Sequence, residues 1–218
     1  MSSLVALGEG YRLLALGLAY PEPESLGRAL ADARALLPEL VEPLLAHVDD
    51  ELVGEHVRLL VTSVPVSPHE GSFRVCDRGS LLGQLAALYE LFGARVGGRE
   101  REASDHIAVQ LEFCALLCIK QALAADRGDA EQLEIARRAR RVLLEEHLGP
   151  FGVAFGERLA VAAMHPFYEV LGELIVDFIS ADADALGVEL DPLAPSRSLP
   201  VVEPDAMVCP LSGAEPKS

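Results

Sequence analysis

The sequence predicts an all-α protein, a single-domain bundle of about nine helices followed by a Pro-rich tail. Three observations point there. Leu, Ala and Val recur at three- and four-residue spacing along most of the 218 residues. Aromatic residues make up only 5% and Trp is absent, so the core must be built from residues that favour helices over strands. No stretch of useful length alternates apolar and polar residues, and no internal repeat is visible. Half the residues are hydrophobic, enough for a sizeable core.

Residues 4–19 read as an amphipathic helix that stops at Tyr20-Pro21. A second helix opens at Glu24-Ser25 and ends before Pro38. A third, short one runs to about His47, and a fourth from about Asp50 to Val61. The pattern then breaks. Residues 62–80, TSVPVSPHEGSFRVCDRGS, read as a long ordered loop, and loops of that length in compact domains are often functional. Helix resumes at Ser80 and runs to Phe92, where Gly93 ends it. After a connector rich in Gly and charge, Ser104 is the expected N-cap of a helix reaching about Ala125, closed by Gly128. Helices near 129–147 and 151–163 follow. His165-Pro166 opens the last one, which runs to about Asp184. The expected division is therefore 1–184 for the helical domain and 185–218 for an extended or disordered tail. That tail holds Pro192, Pro195, Pro200, Pro204, Pro210 and Pro216, six of the chain's 14 prolines.

The 18 Lys and Arg against 34 Asp and Glu give a net charge of −16. Such a surface repels nucleic-acid phosphates and anionic lipid, and attracts cationic polypeptides in a salt-dependent way. No basic n-region or cleavage site marks the N-terminus, and no uninterrupted apolar run reaches the ~18 residues of a membrane span, so a cytoplasmic location is expected. The four cysteines, Cys76, Cys114, Cys118 and Cys209, form no CxxC pair. Cys114 and Cys118 read as small core residues on one helical face, and Cys209 as an unpaired thiol.

The helix after Ser104 is the most informative. From Ile107 to Ile119 only Gln110 and Glu112 are polar, so this rod should lie at the centre of the fold. Glu112 is then expected to be a buried, hydrogen-bonded structural carboxylate, with Phe113 beside it in the core. Asp105 and His106 are expected at the exposed N-terminal end, Asp105 in the first turn. Taken alone, Asp105 reads first as a helix-end charge and His106 as a satisfied surface histidine.

The segment EASDHIAVQLEF, holding Glu102, Asp105, His106, Leu111, Glu112 and Phe113, resembles the Glu-Pro-x-Asp-His motif and the following Leu-Glu-Phe of the TorD/DmsD/NarJ chaperones of molybdenum enzymes. Ala103 stands where that motif has Pro. The segments YRLLALGLAYPEPESL, EHVRLLVTSVPVSPHEGSF, LLGQLAALYELFG, EEHLGPF and HPFYEVLGELIVDFI are similar to the family in the same order, over about residues 8–184. The family's aromatic-x-x-Leu-Phe motif reads His56, Leu59, Leu60 here, with both aromatic positions changed.

The resemblance implies a TorD/DmsD-type helical bundle without cofactor or reaction. It implies a partner in the apo catalytic subunit of a molybdopterin oxidoreductase of the DMSO-reductase family, its Arg-containing twin-arginine signal peptide, or both. The role would be to assist cofactor insertion and assembly before export. A carboxylate beside an apolar groove suits such a peptide. The expected peptide-binding residues are Asp105, His106, Glu102, Leu59, Leu60, His56, Pro65, Pro68, Glu70 and Tyr89. Phe73 is expected to plug into the core rather than line a groove.

Two other readings compete. One is a metal-dependent all-α enzyme using His56, Asp105, His106 and Glu112, although the chain has no HExxH, GxxxxGK or GxSxG. The other is a permanent assembly subunit of a redox complex. The sequence leaves open the client enzyme, leader against mature-domain binding, and monomer against dimer.

Overall fold

A computed structural model describes residues 3–62, 64–95, 103–191 and 193. Nine α-helices stand among them: α1 (Ser3–Leu18), α2 (Pro23–Ala33), α3 (Pro38–Leu45), α4 (Leu52–His56), α5 (Arg78–Leu91), α6 (Ile107–Asp126), α7 (Ala130–Leu143), α8 (Gly149–Ala162) and α9 (Pro166–Leu186). The described residues form no strand. Two helices are extended by π-helical turns, Val57–Thr62 after α4 and Leu144–Leu148 between α7 and α8. The expected fourth helix and the expected helix over 129–147 are each an α-helix that widens into such a turn.

Local chemistry sets the boundaries. Pro23, Pro38 and Pro166 sit in first turns, where a missing N–H costs nothing. Asp77 caps α5 by accepting from Ser80 N at 2.7 Å, so α5 begins two residues before the expected start. Asp129 does the same for α7 through Gln132 N. Gly128 and Gly187 take left-handed φ of 68° and 65° after α6 and α9, a conformation open to glycine without steric cost.

α6 is the central rod, packed between α1 and α7. Its 20 residues have the length and hydropathy of a membrane span, but its apolar surface is used in the core: Ile107, Leu111, Cys114, Leu117 and Cys118 are fully buried. α8 and α9 pack against each other, and α3 lies on α9. α8 and α9 approach so closely that a Cβ on Gly172 would sit 2.6 Å from Gly156 O and 2.7 Å from Ala160 N. A buried polar chain ties α1, α6, α7 and α9 together. Tyr11 donates to Asp182 at 2.8 Å, Asp182 faces Arg140 at 3.4 Å, and Arg140 donates to Cys118 Sγ at 3.3 Å.

The chain after α9 folds back on the body: Val188 is buried and Leu190 and Leu193 pack on the core. Most of the expected tail, Cys209 included, lies outside the described residues, as does Glu102.

The expected burial of Glu112 is corrected. Glu112 is exposed, on a seam of α6 that also exposes Ile119 and Leu123. These three lie seven and four residues apart, one stripe of the helix that the described residues leave exposed. An apolar-all-round sequence hides such a seam, because two of its three members are themselves apolar.

Candidate functional site

The loop between the π-turn and α5 is pinned to the start of α6 by two backbone hydrogen bonds. Glu70 N donates to Asp105 O at 2.9 Å and Ile107 N to Pro68 O at 2.8 Å, an isolated antiparallel bridge between His69 and His106. Two carboxylates lie beneath it, and neither is exposed. Asp105 accepts from Gly71 N at 3.2 Å and from His69 Nδ1 at 3.1 Å, with Arg78 Nε at 3.6 Å. Burial pushes its carboxyl up, but the His69 bond, the Gly71 N–H and the Arg78 charge together outweigh burial and hold it below the usual carboxylate range. Gly71 belongs at this contact: a Cβ there would stand 3.2 Å from Asp105 Oδ2.

Glu70 accepts from Gln110 Nε2 at 2.7 Å and from His147 Nδ1 at 3.2 Å. Arg74 Nε lies 2.7 Å from the same carboxylate, a charge contact without hydrogen-bond alignment. Glu70 thus joins the loop to α6 and to the π-turn before α8. Phe73 plugs into the core against Phe151, with Arg158 over its outer face, as expected.

His106, not Ser104, is the N-cap of α6, and its Nδ1 accepts from Ala108 N at 3.2 Å. The helix therefore starts after the Asp-His pair, and Asp105 is not in its first turn. Burial pushes the His106 imidazole down to about 4, and repulsion from His69 adds to this more than the Asp105 charge offsets it. The neutral ring keeps the lone pair that the cap requires. The expectation of an exposed carboxylate and imidazole is thereby corrected: Asp105 is sealed beneath His69 and Arg78, and His106 is half-buried.

The other nominated residues divide in the same way. Leu59, Pro68 and Tyr89 are buried, Tyr89 donating to Ser104 O at 2.8 Å and stacking near Phe113. His56 is buried, its Nδ1 3.2 Å from Tyr168 Oη, and burial lowers its pKa. Leu60 is half-buried and Pro65 exposed. No group of three or more His, Cys, Asp or Glu side chains among the described residues is placed to hold a metal ion. The ligand set of the enzyme reading is not formed: His56 is turned to Tyr168, Asp105 to His69, and Glu112 to the outside.

A second junction was not anticipated. Glu55 pairs with Arg58 at 2.6 Å and accepts from Met164 N and His165 N at 2.6 and 3.2 Å, while Arg58 donates to Ala162 O at 2.6 Å. The Arg58 bond, opposed by burial and helped by the two N–H groups, holds the Glu55 carboxyl at about 2. Around this clamp on the α8–α9 turn, large apolar side chains stand in solvent: Val61 is 57%, Val161 88% and Met164 80% exposed. Tyr20, 63% exposed, lies against His56. The Glu55–Arg58 spacing was a readable i, i+3 pair, but nothing in sequence linked it to residues 162–165.

A concavity of about 530 Å³ lies beside the Glu70 cluster, lined by Arg74, His147 and Leu193 and by four carboxylates, Asp77, Glu145, Glu146 and Asp191.

Fold and site together define an all-α bundle whose central ionisable cluster is consumed in holding a long loop, with apolar and acidic residues left outside. Residues 27–157 match the family described as nitrate reductase delta subunit. The chain belongs to that family, the TorD/DmsD/NarJ group of redox-enzyme maturation chaperones. It is 33% identical over 177 residues to the selenate reductase assembly chaperone protein of Thauera selenatis, covering 78% of this chain and 86% of that one. It is 31% identical over 178 residues to the chlorate reductase assembly chaperone protein of Ideonella dechloratans, with the same coverage. A crystal structure of a redox enzyme maturation protein from Archaeoglobus fulgidus shares the fold, with a TM-score of 0.57 and 24% identity over 79% of this chain and 93% of that one.

Proposed function

We propose that this chain is a cytoplasmic maturation chaperone for one molybdopterin oxidoreductase, binding its apo catalytic subunit and its Arg-containing leader before cofactor insertion and export. It performs no reaction and holds no cofactor of its own. The observation that carries this reading is the relation to the selenate and chlorate reductase assembly chaperones over most of both chains. The geometry supports it. The titratable cluster at Asp105, Glu70, His69 and His147 is internally paired, which suits a structural role better than catalysis. The exposed side chains of Tyr20, Val61, Val161 and Met164 on one junction suit a partner protein. In this reading the loop that displays Leu60 and Pro65 contributes to client contact, and Asp105, Glu70 and His106 keep it in shape.

The test is co-expression with a candidate client, the catalytic subunit of a molybdopterin oxidoreductase from the same organism. With the chain present, the subunit acquires molybdenum and activity; without it, the subunit accumulates as apoprotein. Equal molybdenum loading in both strains refutes the reading.

A further inference from the structure

A leader with paired arginines before an apolar run needs exposed carboxylates next to an apolar groove. Asp105 and Glu70 do not meet that need, since both are sealed and already paired. The requirement is met elsewhere. Between the α2–α3 corner and α9 lies a groove of about 450 Å³ with apolar walls, formed by Leu36, Leu37 and Leu40 on one side and Leu174, Phe178 and Ala181 on the other. Glu39 and Asp177 stand at its rim, both exposed. The volume falls in the range of pre-formed ligand sites, and the walls lack the arginine that faces the concavity beside Glu70.

The charged residues that line this groove have one sign. α9 carries five carboxylates and no Lys or Arg. Asp182 is buried against Tyr11 and Arg140, but Glu169, Glu173, Asp177 and Asp184 are exposed and make no ion pair among the described residues. Glu169, Glu173 and Asp177 are four apart, so they form one row along the helix. The cation of the α2–α3 corner, Arg34, is paired with Glu42. An apolar side chain can enter the groove while a cation beside it meets two carboxylates of the row.

We infer that the α3–α9 groove is the docking site for a cationic, apolar client segment, with Glu173 and Asp177 holding its arginines and Leu37, Leu174 and Ala181 its apolar side chains. This rests on the chaperone reading and deepens it, since it moves leader recognition away from the Asp-His pair.

The experiment uses the full chain and a labelled peptide of about 20 residues, two adjacent arginines followed by a Leu/Ala segment, read by fluorescence anisotropy. The wild-type chain binds it, and raising salt weakens binding. The Glu173→Lys/Asp177→Lys pair weakens it at least about tenfold, as does Ala181→Trp, which fills the groove without changing charge. Circular dichroism of both variants matches the wild type, because all three positions are exposed. The inference is overturned if the wild-type chain does not bind the peptide. It is also overturned if a peptide with Gln for both arginines binds equally well, or if both variants bind within about twofold of wild type. Capture of the apo catalytic subunit, measured in parallel, separates the two claims. If capture persists while the peptide results go against the groove, only the groove assignment falls.

Discussion

Asp105 is the carboxylate whose removal should be felt most in the clasp between the loop and α6. Asp105→Ala deletes the acceptor for Gly71 N and His69 Nδ1 and the charge facing Arg78. Losing this buried carboxylate costs about 3 kcal/mol, because the Gly71 N–H loses its acceptor and the loop its tie to α6, while His69, 30% exposed, can still turn to water. Asp105→Asn keeps one side-chain oxygen, so it should cost about 2 kcal/mol. Arg78 is 57% exposed and its contact with Asp105 is long, so Arg78→Ala should cost less than about 1 kcal/mol. Urea unfolding followed by far-ultraviolet circular dichroism gives the three values in one series. Amide exchange at Gly71 and Glu70 reports whether the loop opens locally before the bundle unfolds. Opening should be faster at these amides in Asp105→Ala than in Arg78→Ala. If Asp105→Ala costs no more than Arg78→Ala and Gly71 stays protected, Asp105 does not hold the loop and the clasp is misread.

Three further outcomes follow from the geometry. Gly172→Ala should destabilise by more than about 3 kcal/mol in urea, since the new Cβ meets backbone on α8 that cannot rotate away; a change under about 1 kcal/mol contradicts that packing. Glu112→Ala should change stability by less than about 0.5 kcal/mol, whereas a loss of several kcal/mol would restore a buried role for this carboxylate. Stability should also fall on acidification. His106, held at about 4 when folded against an ordinary 6.5, binds its proton more readily in the unfolded chain, so its contribution is complete above pH 6.5 and is lost as pH falls from 6.5 to 4. Glu55, depressed from 4.5 to about 2, adds a loss between pH 4.5 and 2. The His106 part is about 3 kcal/mol at most, less for a partly exposed ring. His106→Asn keeps a capping side chain and removes the titration, so urea midpoints between pH 6.5 and 4.5 should flatten in that variant; an unchanged slope assigns the acid sensitivity elsewhere.

The helices were legible because each stops at a residue with a local reason to stop: Tyr20-Pro21, the residues before Pro38, Gly128 and the His165-Pro166 pair. The family was legible from the Asp-His pair and the ordered segments around it. Burial was not. Glu112 and Asp105 exchanged places, because a helix that is apolar on every side does not announce which stripe goes uncovered, and because a capping histidine shifts the start of α6 past Asp105. Glu70 and Asp105 became buried only when the loop carrying Glu70 closed onto the start of α6, about 35 residues further along the sequence, a non-local event with no periodicity to betray it. The same holds for Glu55, whose partners lie in the α8–α9 turn, and for the acidic row on α9. That row was present in the sequence, but it gained meaning only when α3 came to lie alongside it.

The central claim is that this chain grips its client before the cofactor arrives. Purified chain titrated by calorimetry against the molybdopterin subunit in its cofactor-free and cofactor-loaded forms tests this most directly. Strong binding to the cofactor-free form, with loss of binding once it is loaded, is the outcome expected. Equal binding to both, with co-purification of the loaded enzyme in fixed stoichiometry, would make the chain a lasting subunit and contradict the account.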